Sequence, residues 1–571
     1  MQRREVTTAL RYSRAAMSAP RMKPTLTEQK LRGGYYTPAP IASFLSRWAI
    51  QDAEARTLEP SCGDGNILAA MVQTLGEVGA DKKAISCHVQ AVEYDKAEAA
   101  IARSRMESLG LDLPAAGIVT GDFFEFCRER LNERVRYDAI VGNPPFVRYQ
   151  NFPEKQRAIA FGIMESAGMQ PTRLTNTWVP FLVGSTLLLD DHGRLAMVIP
   201  AELLQVSYAA ELRQFLIDHF SRLTLVTFRN LVFGDIQQEV VLFLGEKNGK
   251  ERTGIRTVEV GSMADLESFR HPDFSKEKLK PLDHSREKWT QYFLDSEEIA
   301  LLRKVREIPG LSTVGSVADV EVGIVTGLND FFVLSSREAK EHGIEAFTGP
   351  LVSRSPHLPG ILFSPSDYAS NLEKNVPALL VEIPDVRPSG LPSAVKAYIA
   401  QAEAQGWHKG YKCRIRNPWY VAPSVWTPDA FMLRQINRYP KVVVNETKAT
   451  CTDTIHRVRF HNGTDRRAFG AAFLNSLTFA FSEVMGRSYG GGVLELEPRE
   501  ATALPIPLKG SEDLDAMCMN QLVLTGAIDE ALDITDDVLL RQGLGLTAKD
   551  TRTLRGIWTK LRDRRSARRG S

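Results

Sequence analysis

Cysteine is scarce and unpaired in this 571-residue chain: Cys62, Cys87, Cys127, Cys413, Cys451 and Cys518 are scattered, with no Cys-x-x-Cys among them. That excludes the usual signatures of a zinc site and of a disulfide framework, and it suits a reducing, cytoplasmic setting. No metal site is expected. No apolar run approaches the ~20 residues that span a bilayer, and the arginine-rich N-terminus lacks the apolar core of a secretory signal. No Gly-Lys-Ser/Thr closes a glycine-rich loop, so a triphosphate-binding P-loop is absent. Charge of one sign is lacking too, for the net charge is only +2.

Its distribution says more. Residues 1–35 hold eight Lys/Arg against two acids, and 551–571 hold eight against one. Such ends can meet phosphate or simply be solvated tails. The length is enough for two or three cores, and a chain with 43% hydrophobic and 25% charged residues is composed like a soluble globular protein.

From Leu58 to about Leu244, short apolar runs alternate with longer amphipathic ones. Runs 57–60, 88–93, 116–120, 137–141, 194–199 and 223–228 read as strands, and 66–77, 96–109, 176–190 and 208–218 as helices. That alternation predicts a doubly wound α/β fold with a mostly parallel sheet. The short link from 223–228 to 239–245 predicts an antiparallel hairpin at its edge. The chain turns polar over 246–290, which reads as a linker. Residues 291–510 lack the βαβ rhythm and read as an α+β domain, with strand-like runs at 319–325, 331–334, 379–382, 441–445 and 455–460. Residues 511–571 read as a helical C-terminal segment with a basic tail.

Leu58-Glu-Pro-Ser-Cys-Gly-Asp-Gly-Asn66 follows a strand and opens a helix, and its glycines allow close backbone approach to a ligand. The next strand ends at Glu93-Tyr94-Asp95, where an acid is placed to accept from both ribose hydroxyls. The third strand runs into Gly121-Asp122-Phe123. Asp122 suits an adenine amino group and equally suits a turn or a helix N-cap; Phe123 or Tyr94 can face the ring. Three such strand ends in succession point to a nucleoside pocket.

The fourth strand runs into Gly142-Asn143-Pro144-Pro145-Phe146. Two prolines hold the preceding residues extended, making a rigid shelf at the carboxyl end of the sheet. An amino group conjugated to a ring is a poor nucleophile. The Asn143 side-chain oxygen and the next backbone carbonyl can accept both its protons and steer its lone pair, while Phe146 stacks on the base.

In this order the motifs resemble the γ class of DNA amino-methyltransferases, similar to Taq-type adenine enzymes and Eco57I-like methylases. Gly34-Tyr35-Tyr36-Thr37-Pro38 before an amphipathic helix resembles the methionine-binding segment. Glu59-Pro60-Ser61-Cys62-Gly63-Asp64-Gly65 resembles the cofactor loop, Glu93 the ribose acid, Asp122-Phe123 the adenine contact, and Asn143 to Phe146 the catalytic motif, with Phe replacing the commoner Tyr. Leu231-Val232-Phe233, ahead of Gln238 to Phe243, resembles the segment whose ring stacks on the flipped base. The resemblance implies S-adenosylmethionine as cofactor and a class I methyltransferase fold. It also implies a division into a basic extension (1–30), a catalytic domain (31–250), a linker (251–290), a target recognition domain (291–510) and the C-terminal segment.

No Pro-Cys dipeptide supplies the thiolate that C5-cytosine methylation needs. Enzymes acting on N4 of cytosine usually begin the tetrapeptide with Ser or Asp, so Asn143 favours adenine. The base must be flipped from its duplex, clamped between Phe146 and Phe233. For DNA speak the 250-odd residues that follow and the stretch Gly406 to Tyr420, where Lys409, Lys412, Arg414, Arg416 and Trp419 interleave charge with aromatics. An ordinary basic surface would look the same. Val322 to Phe332, Gly490 to Pro498 and Leu504 to Pro507 also resemble recurring segments of that recognition region. Arg148 and Tyr149, just past the tetrapeptide, can meet the backbone beside the flipped base. The leading expectation is a modification enzyme that acts on double-stranded DNA and is paired with a separate restriction endonuclease. Alternatives are an RNA or protein-glutamine methyltransferase, a non-catalytic binding module, and a fused restriction–modification enzyme, for which the ~30 residues before Tyr35 leave little room for a nuclease.

Overall fold

The computed structural model describes residues 36–567, apart from 112–116, 230–238, 248–252, 268, 270–273, 275–276, 283–287 and 490. Its largest sheet has eight strands: β1 (Thr57–Glu59), β2 (Val89–Glu93), β3 (Ile118–Thr120), β4 (Tyr137–Gly142), β5 (Leu189–Pro200), β6 (Arg222–Phe228), β7 (Val240–Glu246) and β8 (Gly254–Val260). Their order is β3-β2-β1-β4-β5-β7-β6-β8. The first five run parallel, with Thr57 level with both Val89 and Ala139. Strand β7 inserts antiparallel between β5 and β6.

The sheet is covered on both faces, which is why its strands are near-continuous apolar runs. Helices α1 (Ala39–Ala49), α2 (Asn66–Glu77), α3 (Lys82–His88) and α4 (Lys96–Ser108) give their apolar sides to one core. Helices α5 (Phe123–Asn132), α6 (Glu154–Ser166), α7 (Trp178–Leu188) and α8 (Ala210–His219) pack on the other. Helix α7 is buried at nearly every position, so its uniformly apolar sequence serves the protein core. No single helix among the described residues is long and apolar enough to cross a membrane.

The predicted hairpin of β6 and β7 forms, but it is not the edge of the sheet. Strand β8, from the stretch expected to be a linker, pairs parallel with β6 from Arg222↔Gly254 to Phe228↔Val260. Its sequence hid it because Arg256 sits in its middle. In the fold Arg256 is buried, donating to Thr224 Oγ1 at 2.9 Å and to the Phe274 carbonyl.

Beyond residue 290 a five-stranded sheet runs in the order Ala318–Val322, Ile455–Phe460, Ala430–Leu433, Val442–Asn445, Leu362–Phe363. A second sheet joins Val333–Leu334, Leu379–Val381, Thr348–Val352 and Thr450–Cys451. The expected strand at 331–334 is shorter, because Asn329–Phe332 is a helical turn.

The basic C-terminus is no free tail within the described residues. In the helix Ala548–Ser566, Arg565 pairs with Glu483 at 2.8 Å, each side chain only 2% exposed, and donates to the carbonyls of Asn437 and Gly492. Its neighbour Arg564 reaches Thr227 on β6 and Glu259 on β8 and lies over the Phe293 ring. Arg555 and Lys560 bind Asp533, Asp536 and Glu298. Neither a phosphate-binding nor a merely solvated tail describes these four cations, because folding uses their charge internally. The N-terminal extension lies outside the described residues.

Candidate active site

A cavity of about 410 Å³ opens at the carboxyl ends of β1 to β4, where ligands of open α/β sheets bind. Of the residues expected at a nucleoside, Tyr36, Thr37, Glu59, Pro60, Ser61, Cys62, Gly63, Glu93, Tyr94, Asp122, Phe123 and Asn143 all line it. Pro38 and Gly65 stand behind the wall.

The glycine-rich loop is held from two sides. Gly63 N–H donates to Glu93 Oε2 at 2.8 Å, and the other oxygen of Glu93 accepts from Asp95 N–H at 2.8 Å. Gly65 has φ of 83°, and a Cβ there would come within 3.1 Å of Ala102, so only glycine lets the loop lie against α4. From α4, Arg105 grips the loop through the Asp64 carbonyl (2.9 Å), the Asp64 carboxylate (2.8 Å) and Asn66 Oδ1 (2.6 Å). Nothing in the spacing singled out Arg105, which is one of several charges on a helix of weak amphipathicity.

Asp122 takes the N-cap role that its sequence suits. Its Oδ1 caps α5, accepting from Phe124 N–H (2.9 Å) and Glu125 N–H (3.0 Å), while Oδ2 carries neither of these bonds. Burial raises its pKa, as it raises that of Glu93. Glu59 is fully buried. Loss of hydration, then the negative charges of Glu93 and Asp64, push its carboxyl well up, and its Oε2 has no hydrogen-bond partner among the described residues. The Phe123 ring is 3% exposed and stacks on Phe181 at 4.7 Å, within the core. Tyr94, 65% exposed, stands at the rim, as does Tyr36, whose hydroxyl donates to Glu98 at 2.8 Å.

The tetrapeptide follows β4 directly. Ser61 Oγ donates to the Asn143 carbonyl at 3.2 Å, and Asn143 Nδ2 donates to Thr37 Oγ1 at 3.1 Å. The second bond ties the Asn143 amide to the segment that leads into α1. Thr177, 4% exposed and unforeseen from the sequence, clips the far side: its hydroxyl donates to the Pro145 carbonyl and accepts from Val147 N–H at 2.9 Å. Its own N–H donates to the Val147 carbonyl at 3.0 Å. The carbonyls of Asn143 and Pro145 are thus engaged, whereas that of Pro144 accepts no hydrogen bond among the described residues.

Phe146 is half-buried against both cores of the sheet and Pro144 is buried; neither lines the cavity. Phe233 lies outside the described residues. Arg148 is exposed; Tyr149 is half-buried beneath Arg157, whose guanidinium sits 4.4 Å from its ring.

The basic-aromatic stretch divides. Lys409, Lys412 and Arg414 are exposed and make no ion pair among the described residues. Arg416 turns inward to the Thr326 carbonyl, over the Phe332 ring. Trp419 Nε1 donates to Glu403 at 2.9 Å, and its ring packs 4.7 Å from Phe331. These two anchor the segment.

Comparison with known proteins now adds to the geometry. Residues 286–540 match the model of the type II methyltransferase M.Eco57I C-terminal domain, and 23–320 match that of N-6 DNA Methylase. Type II methyltransferase M.AccI of Acinetobacter calcoaceticus is 22% identical over 495 residues, 83% of this chain and 85% of its own. Type II methyltransferase M.XamI of Xanthomonas campestris pv. amaranthicola is 23% identical over 539 residues, 88% and 91% of the two chains. The structure of type IIL restriction-modification enzyme MmeI in complex with DNA has a TM-score of 0.57 at 11% identity, over 91% of this chain and 73% of that one, a likeness of fold. With one model matching residues 23–320 of 571, the chain belongs to the N-6 DNA methylase family and is a DNA methyltransferase whose methyl donor is S-adenosylmethionine.

Proposed function

We propose that the enzyme methylates N6 of an adenine flipped out of double-stranded DNA at a short specific site, as the modification member of a restriction–modification pair. The observation that carries this reading is the pair of acceptors at the tetrapeptide: the Asn143 amide, oriented by Thr37, and the Pro144 carbonyl. Two fixed acceptors match the two N–H groups of an exocyclic amine. The family model, described as that of an N-6 DNA methylase, supports adenine over cytosine.

The cavity fits S-adenosylmethionine, which carries an ammonium and a sulfonium charge. A buried carboxylate with an orphaned oxygen, Glu59, suits a cationic donor. Glu93 keeps lone pairs for ribose hydroxyls, and Asp122 Oδ2 suits an adenine amino group. When bound, the cofactor supplies an electrophilic methyl group on sulfur. The chain's part is positional: Asn143 and Pro144 accept the two amine protons and steer the nitrogen lone pair away from conjugation with the ring. The nitrogen held by Asn143 and Pro144 would take that methyl group, the sulfur keeping the electron pair, and the surplus proton would leave to solvent. Phe146 stacks on the flipped base; Arg148 and Tyr149 meet the adjoining backbone.

Removing the carboxylate in Asp122→Ala raises the Kd for S-adenosylmethionine about tenfold or more by calorimetry, since hydrogen bonds to a charged group contribute ~1.5–3 kcal/mol. An unchanged Kd would take Asp122 out of the cofactor site. Thr177→Val keeps the shape of the side chain and removes both hydroxyl bonds to the loop. It lowers kcat about 10²-fold, the scale of an ångström-sized misplacement, while Thr177→Ser, which keeps the hydroxyl, stays close to wild type. Equal kcat in all three proteins would dismiss the clip.

The decisive test is to express the protein in a methylation-free host and map modified bases by single-molecule sequencing. N6-methyladenine in one short motif is the expected result. An unmodified genome would sink the reading and favour RNA or protein as substrate.

A further inference from the structure

The stretch after Glu403 contains no acidic residue until Asp429, yet it holds Lys409, Lys412, Arg414 and Arg416. Its fold sorts these side chains by direction. Arg416, Trp419 and the buried Cys413 face inward, and Gly327, at φ 74°, lets a neighbouring loop lie against the turn, since a Cβ there would fall 2.3 Å from Lys412 Cβ. A rigid base therefore supports the short helix Tyr411–Arg414.

What this base holds outward is unusual for a surface kept merely soluble. Tyr411 is 65% exposed and Ile415 61%, one helical turn apart, with Val325 of the neighbouring loop 39% exposed beside them. Between and around them stand Lys409, Lys412 and Arg414, all exposed and none in an ion pair among the described residues. At the C-terminus, by contrast, Arg555, Lys560, Arg564 and Arg565 are all paired. Apolar groups held rigidly in water beside unpaired cations mark a surface with a partner, and the charge is complementary to phosphate.

We infer that the Tyr411–Ile415 ridge enters a groove of the target duplex: Tyr411 and Ile415 read base edges, and Lys409, Lys412 and Arg414 grip the flanking phosphates. This rests on the reading of the enzyme as a site-specific DNA methyltransferase. A one-turn helix with apolar and long basic side chains fits the width of the major groove, where thymine methyl groups give an apolar reader its target. Phosphate contacts set affinity and register, whereas base contacts decide which sequence is modified.

The two roles separate by experiment in the full-length enzyme. The wild type is first shown to modify one motif, which tests the underlying reading alone. Tyr411→Ala and Ile415→Ala are then expected to relax that motif at one or more positions, and to lower kcat/KM on the cognate duplex about tenfold or more, the scale of one lost base contact. Their Kd for S-adenosylmethionine and melting temperature should match wild type. Lys409→Ala, Lys412→Ala and Arg414→Ala should each lower the slope of log Kd against log salt by about one while leaving the motif unchanged. A motif and kcat/KM unchanged by the Tyr411 and Ile415 substitutions would overturn the assignment, even if the charge variants bind more weakly. So would tighter binding to duplex RNA than to duplex DNA.

Discussion

Replacing Asn143 by alanine lowers kcat by about 10³-fold or more, while the Kd for S-adenosylmethionine stays within about twofold. The size follows from removing an acceptor needed only as charge develops on the attacking nitrogen, an effect of about 10²–10³ where single preorganised groups have been removed. The separation of the two readouts follows from how the loop is held. Ser61 bonds to the backbone carbonyl of Asn143, and Thr177 holds Pro145 and Val147, so neither anchor needs the Asn143 side chain. The bond from its side chain to Thr37 is lost. Steady-state kinetics on the cognate duplex with calorimetry on the free enzyme checks both halves. Retained turnover would remove Asn143 from the chemistry; a collapsed cofactor affinity would mean that its side chain holds the loop.

The second large effect is on stability. Arg565→Ala leaves Glu483 buried without its cation and strips hydrogen bonds from the carbonyls of Asn437 and Gly492. Breaking a buried pair from one side costs ~3–5 kcal/mol, to be read as a lowered denaturation midpoint. Burial already pushes the Glu483 carboxyl up with the arginine against it, and without Arg565 it rises further. A carboxyl whose folded pKa lies above its unfolded one takes up a proton on folding as pH falls, so the deficit of the variant narrows in acid. The double replacement Arg565→Met with Glu483→Leu should recover most of the loss, because no charge is then left buried. A deficit that is the same at every pH, or a double variant as weak as the single one, would show that packing of the C-terminal helix matters and the ion pair does not.

The catalytic half of the molecule was legible because its signals are local. A strand, a glycine turn and a helix follow one another within a dozen residues, and Glu59, Glu93, Asp122 and Asn143 each end a strand of one parallel sheet. Their meeting at one cavity follows from topology alone. Thr177 was not legible: it opens the core helix Trp178–Leu188 and meets the tetrapeptide only through the fold. Arg105 and β8 were hidden for the same reason, as polar residues whose partners are distant in sequence. In the basic-aromatic stretch composition was right and direction was not, since nothing in the spacing separates Arg414, which faces water, from Arg416, which faces Thr326.

The two acceptors at the tetrapeptide also count hydrogens. On the proposed reading, an unmodified exocyclic amine would bring two N–H groups to Asn143 and the Pro144 carbonyl. Once methylated it brings one, and an acceptor in a dry pocket is left unmatched, at a cost of ~1–3 kcal/mol. The product is therefore held less well than the substrate at the point where a second transfer would begin. On that reading the loop that starts the reaction would also end it after one methyl group, without a further device to recognise that the work is done.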